Sequence, residues 1–584
     1  MSRREVERWV RGGLLLAASL LLLTRLGATD LWAPDEPRYA QIAEELRSFE
    51  HGVTGFALLH LGGEAYTQKP PLYFWTAALF GAPLGRVTET AARLPSALAG
   101  IALVFLTLQL GAQLFAHGLG AIRAGESRTP SRTASGFRVG AWAATILLTV
   151  PRFAHLGRRV QLDVVLALLE TFALFAFWRI ESGVGRRRVN LALLHAAIGL
   201  AVLTKGPVGL LPIGVIAVYL GWDGRLRELP RLFPGWVWLL SLGPCLAWFV
   251  TATSLAPVGF LDQALLDNLV GRFFSGTSHA RPFYYYAYQL PLDFLPWTFL
   301  WPVVALACTR RLGARAAPVR SASARPWRFL ISWLGVFVVF FSLSSGKRGL
   351  YLLPVFPGIA ILCGAALEDW FERHPARSSG LTVTFAGLVA LLTLGGAALW
   401  LGAADGFQAS AGFAPPRSFA GLLIAIAGLA LAAWVLLARR VASARRAMAC
   451  IAGTIFAVDL ALFSLLLPHY DGEKSPRPIA EAAVALAAPG EPVAVFRHSA
   501  LLGGIAYYGG HPTLALEGAE DVRDFLADGG RVMIAREQQL ESLRELAPVV
   551  VRASLRSGKR AMVVVIAEPR ALDQRLDGSR PDLR

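Results

Sequence analysis

Long apolar segments alternate with short charged segments through most of the chain. From residue 12 to residue 467, apolar runs long enough to cross a membrane recur, and one helical span needs about 20 such residues. About thirteen spans fit the pattern, so residues 1–467 are predicted to form a polytopic α-helical membrane domain. Residues 71–85 are too short to cross comfortably and are predicted to be interfacial or re-entrant.

The pattern changes after residue 467. Residues 468–584 are more polar and contain three short runs with β character, PVAVF, RVMIA and AMVVVIAEP. Helical periodicity near 478–488 and 536–546 accompanies these runs. We therefore predict a small extracytoplasmic α/β domain at 468–584, in which we find no catalytic motif.

The distribution of arginine predicts the orientation of the membrane domain. The basic start, MSRREVERWVRGG, precedes the first apolar run and places the N-terminus in the cytoplasm. A cleaved signal peptide is the alternative, but no convincing small-x-small cleavage site precedes Asp30, which favours an uncleaved first helix. Later arginine clusters fall on alternate loops. Loop 27–69 then lies outside, where it has seven acidic residues against three basic ones.

Composition supports a membrane protein and argues against nucleic-acid binding. The 584 residues are 55% hydrophobic and 17% charged, with a mean hydropathy of +0.50. The net charge of +17 comes from arginines between apolar segments, where membrane topology explains them better than a nucleic-acid partner does. The four cysteines lie in or beside apolar runs without metal-ligand spacing and indicate no disulfide framework.

The external loop at 27–90 contains the densest group of acidic residues. Asp35 and Glu36 are adjacent and would point about 100° apart on a helix, so they are not a matched pair. Asp35 could be a helix N-cap before Pro37, a catalytic carboxylate, or both. The following stripe of apolar side chains suits a helix on a membrane surface. Its members are Tyr39, Ile42, Leu46 and Phe49.

Basic side chains normally avoid the outer side of a membrane, yet six are predicted there. These six are Lys69, Arg158, Arg159, Lys205, Lys347 and Arg348. Any single one could be a helix-end side chain that extends to the interface. Together, beside Asp35 and Asp163, they suit a ring that holds a lipid phosphate, because arginine can bind oxygens bidentately.

Seven segments carry a family resemblance. They are DEPRYAQIAEEL, QKPPLYFW, AARLPSALAG, RRVQLDVVLALLETFAL, LTKGPVGLLP, HARPFYYY and SSGKRGLYLLPVFPGIAIL. In the same order along the chain, they closely resemble segments of the bacterial lipid A aminoarabinose transferases. The wider protein O-mannosyltransferase group of GT-C glycosyltransferases is similar too. The similarity covers roughly residues 1–370.

The resemblance implies a GT-C fold and an inverting sugar transfer at the outer face of the bacterial inner membrane. The donor would be a sugar on a polyprenyl phosphate such as undecaprenyl phosphate. The acceptor could be lipid A, another glycolipid, a glycan or a secreted protein. Asp35 matches the principal catalytic acidic position and Asp163 a second one. The implied substrate-binding residues are Glu36, Arg38, Tyr39, Lys69, Arg158, Arg159, Lys205, Lys347, Arg348 and Tyr351.

One departure from the family concerns a metal. His279 matches a metal ligand of the aminoarabinose transferases, whereas the second ligand, a Glu before the KPP lysine, is Gln68 in this chain. A neutral amide is a poorer ligand for a transition metal than a carboxylate. We therefore expect His279 to be a polar or gating residue, with a divalent metal as the alternative.

Two other functions fit some of these features. A transporter or flippase of a lipid-linked sugar would also need many helices and a cationic phosphate site, but no inverted repeat is evident in the sequence. A non-catalytic structural subunit is the third interpretation. It predicts that substitutions at Asp35 and Lys69 have no effect.

Overall fold

The computed structural model describes residues 2–116, 130–257, 280–312, 323–374, 379–403, 417–438, 444–557 and 560–568. In the N-terminal part, the helices are α1 (Arg3–Leu23), α2 (Asp35–Arg47), α3 (Leu72–Gly81), α4 (Glu89–Leu114), α5 (Pro130–Leu148), α6 (Pro151–Gly157), α7 (Leu162–Glu181), α8 (Arg187–Lys205), α9 (Leu211–Trp222), α10 (Trp238–Ser241) and α11 (Gly243–Leu255). There follow α12 (Tyr285–Asp293), α13 (Trp301–Leu312), α14 (Arg325–Leu343), α15 (Phe356–Arg373), α16 (Ser379–Ala398), α17 (Arg417–Ala438) and α18 (Ala444–Ala461).

Many of these helices can cross a membrane. Six described helices have the length and apolar composition of a span, and three bent helix pairs bring the number to nine. One candidate, 187–222, has a local break after Lys205: Gly206 has a φ of 73°, and a Cβ on Gly209 would lie 2.5 Å from the Val202 nitrogen. The described residues thus give six to nine candidate spans, fewer than the about thirteen that the sequence pattern predicted. The polytopic helical architecture is thus confirmed.

Glycines allow the central helices to approach closely. A Cβ on Gly140 of α5 would lie 2.2 Å from the Leu108 carbonyl oxygen of α4. A Cβ on Gly364 of α15 would lie 2.6 Å from the Val139 carbonyl oxygen of α5. Small residues at such crossings let helix backbones pack directly in a membrane, where the hydrophobic effect does not drive helices together.

The segment between α1 and α4 lies outside the spans and contains α2, α3 and a small hairpin of β1 (His60–Leu61) and β2 (Glu64–Ala65). With ten residues, α3 is too short to cross, as its sequence predicted. The apolar stripe of α2 packs against Tyr73 and Phe74 in a buried cluster, while Phe49 lies beyond the helix and is 58% exposed. The expected surface helix is therefore largely covered by protein.

The C-terminal part is a three-layer α/β unit. Its strands are β3 (Val493–Phe496), β4 (Thr513–Leu516), β5 (Val532–Arg536), β6 (Val549–Ser557) and β7 (Arg560–Ala567). Its helices are α19 (Asp471–Lys474), α20 (Arg477–Val484), α21 (Leu502–Gly509), α22 (Ala519–Ala527) and α23 (Leu540–Leu546). The sheet order is β4-β3-β5-β7-β6. Strand β3 is parallel to β4 and β5, whereas β7 is antiparallel to β5 and β6.

Alternate side chains of the central strands face different helix layers. Val493 and Val495 pack with α20 and α21, whereas Ala494 and Phe496 pack with α22 and α23. Burial on both faces explains why β3 is a continuous apolar run. The sequence prediction of an α/β unit here is confirmed.

The α/β unit is docked on the external loop. A Cβ on Gly503 of α21 would lie 2.4 Å from the Cα of Arg38, so the two helices touch backbone to backbone. Asp471 accepts hydrogen bonds from the Trp32 indole at 2.8 Å and from the Asp30 amide at 3.0 Å. Arg477 forms an ion pair with Asp30 at 3.0 Å. These contacts tie the start of α2 to the C-terminal unit.

Candidate active site

A cavity of about 510 Å³ lies where the segment between α1 and α4 meets the ends of several long helices. It is bordered by the start of α2, the segment before α3, the start of α7, the α8–α9 turn and the segment after α14. Many of the predicted site residues line it together. They are Asp35, Arg38, Tyr39, Lys69, Asp163, Lys205, Arg348 and Tyr351, with Gln68 beside them.

Asp35 lies at the first position of α2, with Pro34 before it, so it is not the N-cap that the sequence allowed. Its carboxylate accepts hydrogen bonds from both terminal nitrogens of Arg348 at 3.4 Å. Arg38 lies one turn later, 3.9 Å from the other carboxylate oxygen. The positive end of the α2 dipole and two guanidinium groups therefore surround this carboxylate, whose side chain is 26% exposed.

Asp163 occupies the first turn of α7 and is buried. It forms an ion pair with Lys205 from the end of α8, and the Gln161 amide donates a hydrogen bond to it at 2.8 Å. The Lys205 ammonium lies 4.3 Å from the centre of the Tyr351 ring, which suits a cation–π contact. Asp163 thus fixes the position of a cation at the cavity wall.

The cavity wall combines positive charge with apolar surface. Four cationic side chains against two carboxylates leave an excess of two positive charges; the cations are Arg38, Lys69, Lys205 and Arg348. The apolar part of the lining comes from Leu162, Val208, Phe340, Phe341 and Leu350. Such a wall can hold an anionic head group at one end and a hydrocarbon chain at the other.

Four residues proposed as substrate-binding do not line this cavity. Arg158 donates hydrogen bonds to the Leu21 and Thr24 carbonyl oxygens at the end of α1, at 2.5 and 2.8 Å. Lys347 is buried and donates to the carbonyl oxygens of Ser344 and Arg281. The other two, Glu36 and Arg159, pair with each other at 2.9 Å. Each of the four has a protein partner, and Arg158 and Arg159 also line a second, smaller cavity.

Glu36 is the centre of a buried ion-pair network. Arg93 of α4 donates to both of its carboxylate oxygens at 3.1 and 3.2 Å, and both side chains are 3% exposed. The amides of Trp32 and Val160 donate to the same carboxylate at 2.9 Å. Arg93 also binds the carbonyl oxygens of Leu26, Thr29 and Asp30. The network joins α2, α4 and the segments before α2 and α7.

The network determines the ionisation of Glu36. Burial alone would raise the pKa of this carboxyl, but the charges of Arg159 and Arg93 and hydrogen bonds from Arg93 and the Trp32 amide lower the pKa to about 2. Glu36 is therefore ionised at neutral pH and held by the protein. Its neighbour Asp35 points the other way, toward the cavity, as their helical spacing predicted.

Sequence reasoning assigned no role to Arg93. The signal was present, since Arg93 is a charge within the apolar segment AARLPSALAG, and a buried charge near a membrane needs a partner. Its partner, Glu36, is 57 positions away. The residues Gln161, Pro207, Ser344 and Gly346, which also line the cavity, carried no comparable signal.

The described donors do not fit a metal in the cavity. Gln68 lines it with an amide, and His279 lies outside the described residues. Within the described residues, one group brings three ligand atoms within 4.8 Å of one another, Glu45, Glu50 and His51. That group lies near the far end of α2 from Asp35.

We expect Glu36→Gln to destabilise the protein by about 3–5 kcal/mol, because it leaves Arg93 and Arg159 buried opposite a neutral amide. The loss should also depend on pH. An unfolded Glu titrates near 4.5 and the folded one near 2, so the ionised carboxylate stabilises the wild type above pH 4.5. This contribution disappears as pH falls from 4.5 toward 2. Thermal unfolding in detergent, followed by circular dichroism, measures both effects.

The matched control is Glu50→Gln, which removes an exposed carboxylate from the same loop. Its stability should stay close to that of the wild type at every pH. Equal stability of the two variants at pH 7 would contradict the central role of Glu36.

Sequence comparisons relate the chain to known transferases. A family model described as dolichyl-phosphate-mannose-protein mannosyltransferase matches residues 133–256. An undecaprenyl phosphate-alpha-4-amino-4-deoxy-L-arabinose arabinosyl transferase of Pseudomonas fluorescens is 29% identical over 402 residues, which are 67% of this chain and 64% of that protein. The corresponding transferase of Pseudomonas savastanoi is 29% identical over 66% of this chain and 68% of its own. The match thus spans about two-thirds of these relatives.

Solved structures extend the likeness to nearly the whole chain. ArnT from Cupriavidus metallidurans, bound to undecaprenyl phosphate, aligns with 96% of this chain and 98% of its own, with a TM-score of 0.70 and 22% identity. The archaeal oligosaccharyltransferase AglB from Archaeoglobus fulgidus aligns with 93% of this chain and 70% of its own, with a TM-score of 0.52 and 13% identity. At these identities the likeness establishes the fold. The resemblance inferred from the motifs is therefore confirmed: this chain is a multi-pass membrane protein that shares the fold of ArnT and is similar in sequence to the aminoarabinose arabinosyl transferases.

Proposed function

We propose that the chain transfers a sugar from a polyprenyl phosphate, such as undecaprenyl phosphate, to an acceptor hydroxyl. The single observation behind this proposal is the cavity in which Asp35 faces an excess of positive charge beside an apolar wall. The names of the related transferases support the donor class. So does the undecaprenyl phosphate bound to the ArnT structure that shares this fold.

In this proposal the cations of the cavity bind the donor phosphate. Lys69, Lys205 and Arg348 would contact its oxygens, because ammonium and guanidinium groups form strong charge-assisted hydrogen bonds with phosphate. The apolar side chains Phe340 and Phe341 would contact the start of the prenyl chain. A polyprenyl phosphate needs both kinds of surface side by side, and this cavity has both.

The reaction needs a good leaving group, a nucleophile and a place for one proton. The bond between the anomeric carbon and the phosphate oxygen breaks, and the cations stabilise the negative charge that develops on the phosphate. The acceptor oxygen forms the new bond from the opposite side, which inverts the configuration. Its proton moves to Asp35, the general base. Asp163 keeps Lys205 in place.

The remaining predicted residues take different roles. Arg38 and Tyr39 line the cavity beside Asp35 and would position the acceptor, which is a glycolipid of the lipid A kind, a glycan or a protein. Glu36, Arg158, Arg159 and Lys347 are positioning residues, because their partners are protein groups. Tyr351 would position Lys205 through its ring.

We expect Asp35→Asn to slow sugar transfer by at least about 100-fold, the usual contribution of a general base. The assay uses purified protein in proteoliposomes with lipid extract from the parent organism, and mass spectrometry follows the loss of prenyl-phosphate sugar. Protein abundance and thermal stability should stay normal, since the Asp35 contacts with Arg348 are long, at 3.4 Å.

Glu50→Gln again serves as the control and should transfer at the wild-type rate. A well-folded Asp35→Asn protein with full activity would eliminate Asp35 as the base. If the wild type moves the lipid-linked sugar across the bilayer without breaking the glycosidic bond, the protein is a flippase instead.

We further propose that residues 1–467 form the membrane domain of a bacterial inner-membrane protein with a cytoplasmic N-terminus. In this arrangement the loop 27–90 and the C-terminal domain, residues 468–584, face the periplasm. The proposal is supported by the alternation of arginine-rich loops with the acidic external loop.

Single cysteines test this orientation. Asp528 and Arg187 are exposed at opposite predicted sides of the membrane. In spheroplasts, a membrane-impermeant maleimide should label Asp528→Cys, and it should label Arg187→Cys only after permeabilisation. The reverse order would contradict the proposed topology.

A further inference from the structure

One edge of the C-terminal sheet has the geometry of a ligand site. Strand β3 lies between β4 and β5 and is parallel to both. The chain passes from β3 to β4 on one side and then crosses to β5 on the other side of β3. In open α/β sheets, ligands bind beyond the carboxyl ends of the strands at such a switch point. The residues at this edge are therefore candidates for binding.

Three basic side chains converge at the edge. His498 follows β3, Arg536 ends β5, and Arg560 begins β7, which runs antiparallel to β5 and so starts at the same edge. One terminal nitrogen of Arg536 lies 2.7 Å from His498 Nδ1. One terminal nitrogen of Arg560 lies 2.9 Å from His498 Nε2. Both guanidinium groups thus contact the same imidazole ring.

The imidazole cannot satisfy both arginines. A neutral imidazole has one nitrogen that accepts a hydrogen bond and one that donates, whereas a guanidinium only donates. At least one arginine therefore points a donor at a ring nitrogen that has no lone pair to offer. In addition, the buried Nε of Arg536 has no hydrogen-bond partner among the described residues. The cluster has more donors than acceptors.

Within the described part of the chain, the cluster also has no paired counter-charge. No carboxylate within the described residues forms an ion pair with Arg536 or Arg560, whereas Arg531 pairs with Glu491 at 3.0 Å and Arg544 with Glu541 at 2.8 Å in the same unit. Burial, together with the charges of Arg536 and Arg560, lowers the pKa of His498 to about 4. The positive charges of Arg536 and Arg560 thus both face the neutral imidazole of His498. The other two arginines named here are each paired with a carboxylate.

We propose that His498, Arg536 and Arg560 bind an oxyanion of the phosphate class at the switch point of the C-terminal domain. The anion would accept the surplus donors and neutralise the paired guanidinium groups, which bind phosphate oxygens in a fork geometry. The exposed side of Arg560 gives access from solvent. This site is separate from the membrane cavity, and it stands whether or not the proposed transfer reaction is correct.

The proposed phosphate has two alternative sources, a free anion and a lipid head group. Equilibrium dialysis of the full-length protein with ³²P-labelled inorganic phosphate tests the first. Thermal unfolding in nanodiscs of phosphatidylcholine, with and without phosphatidic acid, tests the second. We expect Arg536→Gln and Arg560→Gln each to weaken the binding found in one of these arms by about tenfold, since each removes a charge-assisted contact.

The matched control is Arg544→Gln, which removes the same charge from the same domain at a paired surface site. None of the three Gln variants should change phosphate binding in the membrane cavity. A difference in phosphate binding between Arg544→Gln and the other two therefore measures the site at the edge of the sheet. Arg560→Lys keeps the positive charge and should retain most of the phosphate binding. A purely structural role for Arg560 at its exposed position would not make phosphate binding depend on this charge. Equal binding by Arg560→Gln, Arg536→Gln and Arg544→Gln in both arms would overturn the proposal.

Discussion

The ion pair between Glu36 and Arg93 is the interaction on which the arrangement of the cavity depends. Arg93 projects from α4, accepts no hydrogen bonds of its own, and donates to Glu36 and to three carbonyl oxygens before α2. A buried charge is tolerated only when it is paired and its donors are satisfied. These bonds hold the chain before α2 against α4 and so position the start of α2.

The start of α2 in turn orients Asp35. Adjacent residues on a helix point in different directions, so anchoring Glu36 inward turns Asp35 toward the cavity and the Arg348 guanidinium. The C-terminal unit contributes from the other side, since α21 rests on the Arg38 backbone through Gly503. Membrane domain and α/β unit thus clamp the same helix. Changes on either side are expected to alter the geometry at Asp35.

Much of the architecture was predictable from periodicity and charge. Apolar runs indicated the spans, and PVAVF, RVMIA and AMVVVIAEP became β3, β5 and β7. Strand β6 was missed because Arg552 and Arg556 interrupt its apolar pattern, and β4 because its four residues, TLAL, are too short to show a period.

The candidate site was predictable in composition but not in detail. Family motifs and misplaced cations indicated residues such as Lys205 and Arg348, which the fold brings to one cavity. Sequence could not separate them from Arg158 and Lys347, whose partners are backbone carbonyls. Which cations meet a ligand depends on contacts between residues far apart in the chain, and spacing along one sequence does not contain that information.

In the proposed reaction this protein consumes a prenyl-phosphate sugar. Mass spectrometry of lipids and glycans from a strain lacking the protein, beside the same strain complemented with it, tests this claim most directly. In the strain that lacks the protein, we expect a prenyl-phosphate sugar to accumulate while one glycolipid, glycan or glycoprotein loses a residue of the same mass. An unchanged prenyl-linked pool, with no acceptor losing a sugar, would contradict it.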